Sequence, residues 1–334
     1  MKFNLNKILI LIGSIALIFV VSFFVWWNNE IIITKDGIKV DSRGAGLKSS
    51  ISGIECENAS RRPVAVILAG DPETMPLSGI GQADLVFEMP VTPNITRLMA
   101  VFQCEEPGEI GSIRSAREDF IPLAAGLGSI FAHWGGEKDA LARLDSGVID
   151  NIDALKYEGT VFYRKNSLPR PHNGFTTIDL LLNKANSLDY EIADTFSGYP
   201  HSDNNAKRNL SNLVSTININ YPGQYKVQWQ YDESTNLYSR FRGNLKEKDR
   251  NSSKPIVAGV VIVMKTSSRI LNKDYISVSV AGEGDVLVYQ NGSTITGKWK
   301  KDPARLDSKL YFYDNNGQEI KFLPGKIWIE IITN

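Results

Sequence analysis

The stretch VAVILAGDPETMPLSGIGQADLVFEMPVTPNITRLMAVFQ, residues 64–103, sets the fold class. It holds three short apolar runs, VAVILA (64–69), ADLVFEM (83–89) and ITRLMAVFQ (95–103), separated by segments containing Gly, Pro, Asp and Asn. Such runs read as buried strands. Further along, SAREDFIPLAAGL (115–127) reads as a helix opening at Ser115, and SIFAHW (129–134) as a short strand. Gly135-Gly136 then leads into a helix over 137–146, and Thr176 or Thr177 can cap another ending near Asn186. Strands mixed with helices predict an α/β domain with a mixed sheet over residues 61–200.

The remainder has a different texture. From 220 to 334 the chain is almost all short β-rich runs, among them KVQWQYD, LYSRFR, VAGVVIVMK, DVLVYQ, STITGKW, EIKFL and KIWIEII. Asn291-Gly292 and Asn316-Gly317 are strong hairpin signals. This predicts a mostly antiparallel β domain, a meander or small barrel, joined to the first by a polar connector at 201–219. Residues 243–254 (GNLKEKDRNSSK) read as a mobile loop.

At the amino terminus, Ile8–Trp27 carries no charge and ends in two tryptophans. Its length matches a bilayer core, and the rings suit the headgroup layer. Residues 1–30 are expected to be a cytoplasmic tail and a single-pass signal-anchor helix, with everything beyond about 30 outside the cell; a cleaved signal peptide is the alternative. Residues 31–60, rich in Gly and Ser, read as a tether. An extracytoplasmic compartment permits a disulfide between Cys56 and Cys104, which flank the first and third strand runs. If those strands pair antiparallel, the thiols meet; otherwise both stay free.

The chain has 334 residues with 37 Lys+Arg and 37 Asp+Glu, a formal net charge of zero. A generally basic nucleic-acid binder is excluded on that balance. Two cysteines exclude a four-thiolate zinc site, and a three-histidine site would need His133, His172 and also His201 in the polar connector. No metal or cofactor is expected, and the common nucleotide-binding and hydrolase motifs are missing. What remains is arginine. Arg97 interrupts an apolar strand. Arg114 and Arg117 lie three apart where a loop was expected to become a helix, so a helix amino terminus and two guanidiniums would form an anion receptor. The alternative is that each arginine pairs with a neighbouring acid: Asp84, Glu88, Glu118 or Asp119. Glu88 is the obvious partner for Arg97. His133 ends a strand before a glycine turn, as a site residue or as a core histidine bonded to a carbonyl. His172 and Asn173 occupy a proline-containing loop, RPHNGFTT, as ligand contacts or as an exposed turn.

The blocks RPVAVILAG, SGIGQADLVFEMPV, ITRLMAVFQ, IGSIRSARE, FAHWGG and RPHNGFTT resemble, in this order, the YerB-like family, two-domain bacterial envelope proteins described as lipoproteins and of poorly defined function. The resemblance continues through VLVYQNGSTITGKW, LYFYDNNGQEI and LPGKIWIEI. It implies recurring polar positions at Arg97, Arg114, Arg117, His133, His172 and Asn173. This chain lacks the lipobox cysteine. It also has Ala69-Gly70-Asp71 where the family commonly carries Asn-His or similar polar residues.

These observations lead to an anchored extracytoplasmic protein that binds an anionic envelope ligand, a glycan or a phosphate-containing molecule, through an Arg/His cleft. Two alternatives stand beside it. One is a wall-polymer hydrolase or transferase with Glu88, His133 or Asp119 as catalytic candidates. The other is a scaffold or regulator docking on an envelope protein partner.

Overall fold

The computed structural model describes residues 46–202, 213–271 and 275–333, together with the backbone of two strands, β1 (Glu30–Thr34) and β2 (Gly37–Asp41), which pair antiparallel. That pair belongs to a unit, Met1–Leu47, separate from Lys48–Asn334. The span expected at 8–27 lies outside the described residues. No helix among the described residues is long and apolar enough to cross a membrane.

The unit from Lys48 onward is organised by one ten-stranded mixed sheet. From the first region it takes β3 (Val64–Ala69), β4 (Leu85–Thr92) and β5 (Ile95–Phe102), the three runs of the opening stretch. A two-residue strand, β6 (Ile110–Gly111), follows outside it, and then β7 (Ile130–His133) and β8 (Asn151–Asp153) rejoin it. Short strands β9 (Tyr163–Arg164) and β10 (Gly174–Thr176) form a small sheet with β6. The second region supplies a separate antiparallel layer: β11 (Thr216–Ile219), β12 (Val227–Asp232), β13 (Leu237–Arg242), β14 (Leu245–Lys246) and β15 (Val257–Ala258). It then returns to the large sheet with β16 (Val260–Thr266). A pair, β17 (Ser268–Ile270) and β18 (Ile276–Val278), precedes β19 (Gly282–Gln290), β20 (Ser293–Lys301), β21 (Tyr311–Asp314) and β22 (Ile327–Thr333).

The large sheet runs β21-β20-β19-β16-β22-β4-β5-β3-β7-β8. Strand β22 lies between the two regions and is parallel to both neighbours, Ile327 standing beside Val260 on one side and Leu85 on the other. The mixed α/β region and the mostly β region therefore share one sheet; within the second, β11–β14 and β19–β21 form the expected antiparallel meanders, and the described strands close no barrel. Strands β4, β5 and β22 are apolar on both faces because both are covered. One face packs on α1 (Phe120–Gly126) and α2 (Lys138–Asp145). After the short α3 (Ala154–Tyr157), α4 (Ile178–Ser187) covers the other face together with the β11–β15 layer. The Thr177 hydroxyl accepts the Leu180 N–H and caps α4. Asn291 and Gly292 both take positive φ, 54° and 68°, as a two-residue hairpin between β19 and β20 requires.

Three local expectations need correction. The segment 48–60 is no loose tether: Ile51 is buried, the Ser49 hydroxyl donates to Gln103 and the Ser52 hydroxyl to Asp84. Residues 243–254 are held down, with Asp249 buried and accepting the Gly81 N–H, and Arg250 donating to the carbonyls of Thr74 and Pro76. The run EIKFL makes only isolated bridges. Strands β3 and β5 pair antiparallel, Val64 opposite Phe102, and Cys56 and Cys104 are joined by a disulfide with Cα atoms 5.7 Å apart. Closing a loop of that sequence separation, 48 residues, contributes about 4 kcal/mol in the chain-entropy account.

Candidate functional site

Strand alternation decides where Arg97 and Glu88 go. In β5, Arg97 shares a face with Met99 and Val101, the face covered by α1 and α2; Leu98 and Ala100 point to the other. The register sets Arg97 opposite Met89 and Glu88 opposite Leu98. Arg97 and Glu88 are thus on opposite faces of the sheet and cannot pair.

Arg97 is 4% exposed. Its Nη1 donates to the Ser115 carbonyl at 3.1 Å, and its buried Nε has no partner. It forms no ion pair among the described residues. Burial, then the like charges of Arg117 and Arg114, push its pKa down to about 9, against the pull of Asp71 and Tyr275. A guanidinium shifted this way is still charged at neutral pH.

Arg114 and Arg117 reach Arg97 without a helix. The helix α1 begins at Phe120, not Ser115. The backbone from 114 to 118 is committed to tertiary bonds instead: Arg114 N–H to the Ile67 carbonyl, Ala116 N–H to Gly135, and Glu118 N–H to the Glu137 carboxylate, at 2.9, 2.9 and 3.0 Å. The Ser115 and Ala116 carbonyls, which a helix from Ser115 would use, accept from Arg97 Nη1 and the Glu137 N–H, so the local helical pattern is overridden and the helix-dipole contribution expected at these arginines is absent. Arg114 Nε stands 3.7 Å from Asp71 Oδ2, and its Nη1 lies 3.5 Å from the Pro171 carbonyl. Arg117 Nε is 3.9 Å from Glu137 Oε2, and its guanidinium lies over the Tyr275 ring at 4.8 Å from the centroid. Burial, outweighing Glu137 and Tyr275, lowers the Arg117 pKa. The Nε atoms of both arginines are buried without a hydrogen-bond partner, as is Asp71 Oδ2. The Tyr225 hydroxyl donates to Asp71 Oδ1 at 3.3 Å.

The other candidates fall elsewhere. His133 is fully buried, its Nδ1 2.8 Å from the Gly135 carbonyl and its Nε2 3.3 Å from Asn151 Oδ1; it is the core histidine bonded to a carbonyl. Asn173 is buried and accepts from Arg164, which stacks on Trp134 at 4.0 Å. His172 is half-buried next to Pro171, with an unpartnered Nδ1. Asp119 sits beside the cluster as a brace: it accepts the Val278 N–H at 2.6 Å and the Ser277 hydroxyl at 3.3 Å, which fixes β18 next to Tyr275. Burial pushes the Asp119 carboxyl up to about 6, against those two hydrogen bonds.

Glu88 belongs to a second charged cluster on the opposite face. It is fully buried and bonds Arg240, while Arg242 approaches it at 3.3 Å and the Thr96 hydroxyl donates to it at 2.6 Å. Glu247 bonds both arginines. Glu330 receives Trp229 Nε1–H at 2.8 Å and the Tyr221 hydroxyl at 3.0 Å. Burial lifts the Glu330 pKa to about 7 despite Arg240. A cleft of about 530 Å3, lined by residues such as Leu77, Ile80, Leu98, Ile256 and Trp328, lies above this network. Its two arginines meet three glutamates, most of them at hydrogen-bond distance. The arginine cluster is the stronger candidate because its three arginines meet only two carboxylates among the described residues, both beyond hydrogen-bond distance.

Family models for the N-terminal and C-terminal domains of DUF3048, a protein of unknown function, match residues 51–191 and 217–329. The chain belongs to the DUF3048 family. It is 30% identical over 296 residues to a Bacillus subtilis (strain 168) protein named "Putative lipoprotein YerB", covering 86% of this chain and 87% of that one. It also matches the crystal structure of the YerB protein from Bacillus subtilis, at 28% identity and a TM-score of 0.78, covering 86% of this chain and 97% of that one. Within this DUF3048 fold, sequence reasoning missed Asp71, Glu137 and Tyr275. One signal pointed to Asp71: it follows Gly70, where a Cβ would stand 2.4 Å from the Thr96 carbonyl oxygen, so the backbone at that strand end runs close to β5.

Proposed function

We propose that this chain is a membrane-associated extracytoplasmic protein, anchored through residues 8–27, that binds an anionic cell-envelope ligand with Arg97, Arg114 and Arg117. The observation that carries the reading is Arg97: a buried guanidinium beside two like charges, with no ion pair among the described residues. Such an arrangement costs folding free energy, and a bound anion repays it. Two carboxylates attend the three arginines, both at long range, at Arg114 and Arg117. The location is supported by the relative's name as a lipoprotein and by the disulfide, which suits an oxidising compartment. The wall-polymer hydrolase alternative has less support, since Glu88 and His133 are held in buried hydrogen-bonded networks and both Asp119 oxygens accept hydrogen bonds.

Isothermal titration of the full chain in detergent, at low ionic strength, with inorganic phosphate and with sulfate tests the site. Saturable binding is expected, lost in Arg97→Met and Arg114→Gln with folding retained by circular dichroism. Equal binding by wild type and both variants, or none by any, sinks the proposal.

A further inference from the structure

We propose that the cleft on the Glu88 face of the sheet binds a fatty acid, its hydrocarbon chain in the hollow and its carboxylate at Lys246 and Lys248. This site is separate from the arginine cluster and stands whether or not that cluster binds an anion. A hollow of about 530 Å3 is of the size that holds a small-molecule ligand. Its floor, which includes Leu77, Ile80, Ile256 and Trp328, is nearly closed by packing, so the open apolar surface is on the walls. Met75 is half-buried there, Pro76 is exposed and Leu245 is 78% exposed. The register sets Leu245 of β14 opposite Arg242 of β13, so its side chain shares the face from which Arg242 reaches Glu88, the cleft side. Leu245 thus overhangs an apolar hollow without filling it, and a hydrocarbon occupant would take its surface out of water.

The walls are pinned to each other, so the hollow is formed before anything enters it. The Arg250 N–H donates to the Leu77 carbonyl at 2.8 Å, and its guanidinium to the Thr74 and Pro76 carbonyls at 3.0 and 2.7 Å. Polar groups along the cleft are spent on one another. Arg240 and Arg242, which line one end, are engaged by Glu88, Glu247 and Glu330. The Glu247 and Ile256 N–H groups donate to the Arg240 and Glu247 carbonyls, both at 2.9 Å. A polypeptide laid here would bring N–H and C=O groups in need of partners, whereas a hydrocarbon chain brings none. The lip supplies the charge. Lys246 and Lys248 line it, both are exposed, and neither has an ion pair among the described residues. The one acid among the described lining residues, Glu247, bonds both arginines. Lys246 lies over the Phe241 ring, 5.4 Å from its centroid, and the flexible lysine stems let both ammoniums follow a head group at the mouth. An apolar hollow with a positive lip is complementary to a chain that ends in a carboxylate, and a fatty acid is the smallest ligand with both parts.

Photolabelling of the full chain in phosphatidylcholine nanodiscs, which keep detergent out of the cleft, tests this with a diazirine analogue of hexadecanoate and peptide mapping by mass spectrometry. Saturable label is expected on residues 72–80 and 243–248, and hexadecanoate should compete about fivefold better than hexadecanol, which lacks the charge. Leu245→Asp, at an exposed position that folding tolerates, should cut the label on these segments about tenfold, with the fold checked by circular dichroism. Lys246→Ala together with Lys248→Ala should bring hexadecanoate down to the level of hexadecanol. Label spread evenly along the chain, or unchanged in Leu245→Asp, overturns the site. Equal competition by the acid and the alcohol in the wild type overturns the role of the lysines. Stronger competition by palmitoyl lysophosphatidylglycerol than by hexadecanoate overturns the fatty acid in favour of a phospholipid. A photoreactive apolar peptide that labels these segments where the fatty acid does not gives the cleft to a polypeptide partner and overturns the lipid altogether.

Discussion

The two faces of the sheet bury arginines in opposite ways. Arg240 meets three glutamates and Arg242 two of them, and although burial alone would lower both, the carboxylates raise the pKa of each above the ordinary value. Burial likewise would raise Glu247, but Arg240 and Arg242 hold it down. Arg97, Arg114 and Arg117 have two carboxylates at the edge of contact, and both Arg97 and Arg117 are shifted downward. The same side chain is a fastener where its partners come with the fold and a receptor where they do not. The fastener sits where β13 and β22 of the second region meet β4 and β5 of the first.

Breaking the fastener should have the largest effect. Glu88→Ala leaves Arg240 and Arg242 short of a buried carboxylate, and a loss of about 3–5 kcal/mol is expected, read from the urea midpoint at unchanged slope. A near-neutral result would show that the network contributes nothing at this junction. The receptor should respond in the other direction. Arg97→Met removes a charge that is 4% exposed and without an ion pair among the described residues; it should stabilise the ligand-free protein by about 1–3 kcal/mol. A destabilised Arg97→Met protein would mean that Arg97 is paired in the free state and would break the comparison.

The smallest effect is in the brace. Asp119 titrates near 6 in the fold against an ordinary 3.8. Between those values the native carboxyl keeps a proton that the unfolded chain has released, so this group favours folding progressively as pH falls from about 6 to 4. Glu330, also raised, acts in the same sense. The difference between wild type and Asp119→Asn therefore isolates Asp119: the variant should show a flatter rise in stability over that window. Identical pH profiles would remove Asp119 from the account.

Much of this was legible in the chain. The strands of residues 64–103, the helix that follows Gly135-Gly136, the helix capped at Thr177, and the Asn291-Gly292 hairpin follow from apolar runs and turn residues, which act locally. The arginines stood out because a charge inside an apolar strand needs a reason. Glu88 was assigned to Arg97 because the two are near in sequence; pairing register, which no local pattern encodes, set them on opposite faces. The helix expected at Ser115 failed because Arg97 and Glu137, remote along the chain, claim the Ser115 and Ala116 carbonyls that its first turn would have needed. Asp71 gave little sign of itself beyond its glycine neighbour.

The sequence by itself determined most of the longer strands, which residues carry charge into the core, and that two cysteines flank strands able to bring them together. Tertiary structure decided the rest. Inserting β22 parallel between β16 and β4 fused the two regions into one sheet, and that sheet fixed which arginines met carboxylates. The physical reason is range: hydrophobic periodicity and turn preference are set within a few residues, whereas the energy of a buried charge depends on whichever groups the completed fold brings within a few ångströms of it.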